Sequence, residues 1–157
     1  MLKESQQLPT LRGTAADILK AKSPVIHAIA PTATVYDAIA KMCEARVGAL
    51  LVMDGPKLLG ILSERDYARK VILLGRASKE TRVEEIMTTN VISVESTARL
   101  GQCMQVVTQH SIRHLPVVDQ DHVAGVLSTG DLVRSLLEQQ ADTIQSLKSF
   151  IGSDYPS

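Results

Sequence analysis

Apolar residues along the chain fall into two alternating rhythms. Over 34–46 and 99–110 they recur at i, i+3, i+4 and i+7: Val35, Ala38, Ile39 and Met42 in the first stretch, Leu100, Cys103, Met104 and Val107 in the second. That spacing puts them on one face of an amphipathic helix. Thr34 with Asp37 three residues on resembles a capping box at the first helix start. Between the helices lie short apolar runs: "VIHAI" (25–29), "ALLVM" (49–53), "KLLGIL" (57–62), "VISV" (91–94), "HLPVV" (114–118) and "HVAGVL" (122–127). Runs of this length, bounded by turn residues, predict strands. "DGP" (54–56) and "DQD" (119–121) join two of the pairs, and Asp-Gly-Pro is a strong turn signal. Pro116 has no N–H for a ladder, so it fits only a strand start or a sheet edge.

The same order of elements occurs twice. A shift of 65 residues carries Gly60, Leu62, Ser63 and Asp66 onto Gly125, Leu127, Ser128 and Asp131, and Leu50, Val52 and Asp54 onto Leu115, Val117 and Asp119. The helical stripes superimpose as well. A second helix follows each serine, carrying Tyr67, Val71 and Ile72 in one copy and Leu132, Leu136 and Leu137 in the other. The chain therefore divides into an arm (1–13), a first unit (14–74), a polar linker "GRASKET" (75–81), a second unit (82–140) and a helical tail (141–157). A unit of about sixty residues is marginal alone, and two copies packed together make a sufficient core. The expected fold is α/β (α+β): two βαββα units related by a pseudo-twofold axis.

Composition narrows the function. Seventeen basic residues balance seventeen acidic ones, aromatics make up 3% and there is no Trp. A nucleic-acid binder would normally show a basic face and stacking aromatics. No apolar run approaches the length of a membrane span. "MLKESQQLPTLRG" has no apolar core like that of a signal peptide. Cys43 and Cys103 sit in no partner motif, so the expected compartment is the reducing cytoplasm. His110 and His114 are four apart, but the helix should end near Ser111 and no third ligand lies near in the pattern, so no metal is expected. Lys79, Glu80 and Arg82 read as a solvated linker.

The chemistry sits in the doubled Ser-x-x-Asp. As a capping box it is worth about 1 kcal/mol and needs no ligand. Two features add to that reading. Each serine marks a helix N-terminus at the end of a strand, where N–H groups and the helix dipole favour phosphate. Thr129 and Gly130 add a hydroxyl and an open backbone approach. A carboxylate beside such a spot accepts from the two hydroxyls of a ribose cis-diol, and phosphate with ribose means a nucleotide.

With its "IRHLPVVD", "GILSERDYARKV" and "MTTNVISV" stretches, each unit resembles the CBS domain, named after cystathionine β-synthase. The pair resembles the tandem CBS (Bateman) module of stand-alone CBS-domain proteins, over roughly residues 14–140. The resemblance implies an adenine nucleotide (AMP, ADP, ATP or NAD(H)) held between the two copies. It places one site at Asp131, Ser128 and Thr129, with Arg113 or His114 near the phosphate and Lys22, Ile26, His27, Val47 and Gly48 along the base. The mirror site takes Asp66, Ser63 and Arg65, with Val91, Ile92 and Ile112 opposite. The copies depart from each other where charge matters: Arg113-His114 precedes Leu115-Pro116, whereas Gly48-Ala49 precedes Leu50-Leu51.

The function expected is ligand sensing without catalysis, in a homodimer that regulates another protein. Ser63 and Ser128 lack a His–acid relay, which argues against an enzyme. The rival is an interaction module whose Ser-x-x-Asp pairs are caps alone. Candidate dimer surfaces are Val35, Ile39 and Met42, their counterparts Leu100, Met104 and Val107, and the tail's Ile144, Leu147 and Ile151.

Overall fold

The computed structural model describes residues 11–153; most of the N-terminal arm and the end of the tail lie outside the described residues. In chain order the elements are α1 (Ala15–Lys20), β1 (Ala28–Ile29), α2 (Val35–Ala45), β2 (Ala49–Asp54), β3 (Lys57–Ser63), α3 (Glu64–Tyr67), α4 (Val83–Ile86), α5 (Leu100–Gln109), β4 (His114–Asp119), β5 (His122–Ser128) and α6 (Thr129–Ser153). This is a mixed α+β fold, as the two rhythms predict. Both expected amphipathic helices form within a residue or two of their predicted ends.

Two compact units result. One comprises 24–93 with 116–126 and contains Asp66; the other comprises, among the described residues, 11–23, 94–115 and 127–153, and contains Asp131. In the Asp66 unit a three-stranded sheet runs β1-β2-β3, with β1 parallel and β3 antiparallel to β2. Val35, Ala38 and Met42 of α2 pack with Leu50 and Val52 of β2, Leu62 of β3, Val71, and Val83 and Ile86 of α4. In the Asp131 unit the buried apolar residues among those described are Ala15, Leu100, Cys103, Val107, Leu115, Leu127 and Leu132.

Each unit borrows the lead-in segment of the other sequence copy. In the Asp131 unit, Ala15 N–H donates to Ala98 O (2.8 Å), Ala16 N–H to Ser96 O (2.9 Å) and Leu100 N–H to Gly13 O (3.0 Å). In the Asp66 unit, Val83 N–H donates to Ala33 O (2.9 Å), Glu84 N–H to Pro31 O (3.0 Å) and Val35 N–H to Thr81 O (2.8 Å). The two patterns are the same, bond for bond. Residues 13–16 of the first copy dock at the start of α5, and residues 81–84 of the second copy dock at the start of α2. Isolated bridges Thr14–Arg99 and Thr34–Arg82 mark the same exchange.

Several expected elements change form. The run 25–29 pairs only at Ala28 and Ile29, leaving Val25 and Ile26 exposed. The run 91–94 forms no strand beyond a single bridge residue at Val94. In the first copy Leu51 N–H donates to His27 O (3.0 Å); the residue equivalent to Leu51 is Pro116, which has no N–H to give to the equivalent carbonyl. The second helix of the first copy is one turn of α-helix, α3, continued by a π turn over Ala68–Ile72, which leaves Ile72 exposed. The second helix and tail of the other copy are one unbroken helix, α6. The linker is not wholly solvated: Thr81 is buried, its hydroxyl on Ala77 O (2.8 Å). Of the surfaces offered for dimerisation, Val35, Met42, Leu100 and Val107 are spent inside their own units, while the tail residues are exposed.

Gly60 has a structural reason. A Cβ there would lie 2.8 Å from Thr88 O and 2.9 Å from Met87 Sδ, because Ile61 and Thr88 exchange backbone hydrogen bonds of 2.9 and 3.0 Å beside it.

Candidate functional site

Both Ser-x-x-Asp pairs form reciprocal caps at the end of a strand. In the Asp66 unit, Ser63 N–H donates to Asp66 Oδ2 (3.0 Å) and Asp66 N–H to Ser63 Oγ (3.2 Å). In the Asp131 unit, Ser128 N–H donates to Asp131 Oδ2 (2.8 Å) and Asp131 N–H to Ser128 Oγ (3.1 Å). The first helical N–H is taken in both copies by the carbonyl just before the first strand of the hairpin, β2 or β4: Glu64 N–H on Gly48 O (3.0 Å) and Thr129 N–H on Arg113 O (2.9 Å). The Thr129 hydroxyl also donates to Arg113 O (3.2 Å). In each copy two N–H groups of the first turn, those of Glu64 and Asp66 and of Thr129 and Asp131, are thus taken from within the chain. α3, only four residues long, has little dipole to offer an anion.

The carboxylates differ in what else they hold. An ionised carboxylate has about four acceptor positions. Around Asp66, Oδ2 also accepts from Ser63 Oγ (3.0 Å), while Oδ1 accepts from Thr88 Oγ1 (3.3 Å) and pairs with Lys70 Nζ at 3.1 Å. Lys70 lies one turn along and donates as well to Ile86 O (2.9 Å). Around Asp131, Oδ2 accepts from Lys22 Nζ at 2.6 Å, and Oδ1 faces Arg134 Nη1 at 3.8 Å, a separation too long for a hydrogen bond. The Asp131 side chain is 9% exposed and that of Lys22 32%. Burial pushes the Asp131 carboxyl up, but the Lys22 ammonium and the Ser128 hydrogen bonds outweigh it and hold the group below the usual carboxylate range.

Lys22 reaches Asp131 because the borrowed lead-in carries it there. α1 is capped by Thr14 and Asp17 and ends at Ala21, one residue earlier. Arg12 fastens the same segment to α6 through two 2.8 Å hydrogen bonds with Gln139.

The predicted site residues fall as follows. Lys22, Arg113, His114, Ser128, Thr129 and Asp131 share one unit, as do Ser63, Arg65, Asp66, Val91 and Ile92 in the other. Ile26, His27, Val47 and Gly48 belong to the Asp66 unit and Ile112 to the Asp131 unit. Arg113, Thr129 and Arg65 are exposed; His114, Val91, Ile92 and Ile112 are half-buried. Sequence reasoning missed Lys70, Thr88 and Arg134. The spacing of Asp66 to Lys70 (i+4) and Asp131 to Arg134 (i+3) was the available signal for two of them. His110 closes α5 and His114 opens β4. Among the described residues no group of three His, Cys, Asp or Glu side chains could hold a metal, and no helix is long and apolar enough to cross a membrane.

A repeated strand–cap–helix start, with a carboxylate paired to a lysine in each compact unit, defines a class of paired modules. The CBS domain model matches the chain twice, at residues 14–72 and 83–138, and the chain belongs to the CBS-domain family. It is 39% identical over 127 residues to the CBS domain-containing protein CBSX3, mitochondrial, of Arabidopsis thaliana, covering 78% of this chain but only 62% of that relative. Among solved structures it resembles a protein with CBS domains from Burkholderia ambifaria, at 50% identity and a TM-score of 0.79 over 82% of this chain and 96% of that one. CBSX2, solved in complex with AMP, is similar at 26% identity and a TM-score of 0.68 over 81% of this chain and 98% of that one.

Proposed function

We propose that this chain is a regulatory module that binds an adenine nucleotide at Asp131, with the ribose hydroxyls on its carboxylate and the phosphate towards Thr129, Arg113 and His114. The observation that carries the reading is the state of that carboxylate. It is buried, held ionised, and has one oxygen, Oδ1, whose partner stands off at 3.8 Å. A ribose hydroxyl is a donor that suits such an acceptor. Asp66 has its acceptor positions filled by Ser63, Thr88 and Lys70 and is the weaker candidate. The AMP complex of CBSX2 supports adenine as the base and makes AMP the first ligand to test.

No group in this arrangement is poised to attack the ligand, so the nucleotide acts as a signal. It shifts the module between arrangements in proportion to its differential affinity for them. Titration calorimetry and thermal shift with AMP, ATP and NAD test this. Saturation at a hundredfold excess over Kd adds about 2.7 kcal/mol of stability. A second reading, an interaction module without nucleotide, is favoured by the completeness of both caps; no heat and no shift with any adenine nucleotide would establish it over the first.

A further inference from the structure

The two oxygens of the Asp131 carboxylate are not equivalent. Oδ2 accepts from Ser128 N–H at 2.8 Å and from Lys22 Nζ at 2.6 Å, which fills its two lone-pair directions. Oδ1 faces the Arg134 guanidinium at 3.8 Å, beyond hydrogen-bond reach. A ribose cis-diol presents two adjacent hydroxyls, and a carboxylate takes such a pair with one hydroxyl on each oxygen. Oδ1 has room for the first. The second arrives at Oδ2, where the Lys22 ammonium already sits.

Given the ribose-binding reading of Asp131, on which this rests, we propose that Lys22 makes the site select a nucleotide over a nucleoside. The arriving diol displaces the ammonium from Oδ2, and the displaced charge pairs with the ligand's phosphate. The two partners differ in how freely they move. Asp131 is 9% exposed and is pinned in the first turn of α6 by its reciprocal hydrogen bonds with Ser128. The Lys22 side chain is 32% exposed and lies just past the end of α1 at Lys20. Its compact charge rides on a flexible four-carbon stem with rotatable donors, so it changes partner without disturbing a helix. Leaving Oδ2 costs the lysine its carboxylate. A neutral nucleoside brings no anion in exchange and bears the cost of breaking a largely buried pair. A phosphate supplies charged acceptor oxygens and offsets that cost.

Calorimetry of the intact protein with AMP and with adenosine tests this. Wild type should favour AMP. In Lys22→Met, adenosine should bind more tightly than to wild type, because its diol meets an uncovered Oδ2. The preference for AMP should then shrink by about tenfold or more, the worth of one hydrogen bond to a charged group. Lys22→Arg keeps the charge and should restore the preference. Lys22→Gln, neutral but still a donor to Asp131, repeats the measurement if Lys22→Met melts too low to assay. A lysine that only props the lead-in or lines the base would change both affinities in parallel. That result, or wild type binding the two ligands equally, would overturn the selectivity and leave the Asp131 site standing. Binding of neither ligand to wild type would overturn the site reading, and the selectivity with it.

Discussion

Lys22 and Asp131, 109 residues apart in the chain, meet in a 2.6 Å ion pair inside a single compact unit. The lysine comes from the lead-in of the first sequence copy and the acid from the second. The corresponding acid, Asp66, takes its lysine from its own helical stretch, at i+4. One repeat thus solves the same electrostatic problem through tertiary exchange and the other through local spacing.

Removing the lysine should cost stability. Lys22→Met leaves a nearly buried carboxylate without its ammonium, a change that costs several kcal/mol when the pair is fully buried. Lys22 is about a third exposed, so the expected loss is smaller, about 1–2 kcal/mol. In thermal melts this is a fall of about 2–4 °C per kcal/mol. Lys70→Met, which removes a more exposed lysine from Asp66, should cost less. Equal losses would show that the tertiary pair has no special weight.

Stability should fall in acid through Asp131. Its folded carboxyl titrates below the ordinary value of 3.8, so the unfolded chain takes up the proton first as pH drops. Asp131's contribution is complete above that ordinary value and disappears as pH falls through the lower folded one. Denaturation between pH 6 and 2.5 should therefore show a steeper acid loss in wild type than in Asp131→Asn. Asp17 and Glu85, also lowered by backbone hydrogen bonds, leave a residual slope in the variant. Parallel curves would contradict the assignment.

Nucleotide affinity should be asymmetric. Asp131→Ala is expected to weaken AMP binding at least tenfold, about 1.4 kcal/mol, whereas Asp66→Ala should change it less, since Asp66 is occupied by Ser63, Thr88 and Lys70. Calorimetry on both variants decides this. An equal loss would mean that the filled acceptor positions of Asp66 open on binding.

Two glycines should respond in opposite directions. Gly60→Ala drives a Cβ against Thr88 O and Met87 Sδ and should cost about 1–3 kcal/mol, as overpacking does. Gly101→Ala, on the exposed side of α5 with nothing within 4 Å of the new Cβ, should gain up to about 1 kcal/mol of helix propensity. Urea denaturation of the two variants gives both signs directly.

Much of this architecture was legible in the chain. The helices at Val35–Ala45 and Leu100–Gln109, both hairpins, the repeat and the caps at Ser63 and Ser128 follow from patterns that neighbouring residues create among themselves. The 65-residue shift did not reveal the borrowed lead-ins, because those segments match at a shift of 68: Gly13 answers to Thr81 and Ala15 to Val83. Nor did it reveal the missing strand at 91–94, although Pro116 was visible as a residue that could only end or edge a ladder.

By itself, then, the sequence determined the periodic elements, their order and the doubled Ser-x-x-Asp, since helix faces, turns and caps depend on contacts a few residues apart. Only the tertiary structure decided which lead-in serves which unit, which cation answers Asp131, why Gly60 must be glycine, and that the stripes of α2 and α5 are buried while that of α6 stays open. Those outcomes depend on groups tens of residues apart meeting at ångström distances. Local pattern does not specify such meetings; the packing of the whole chain does.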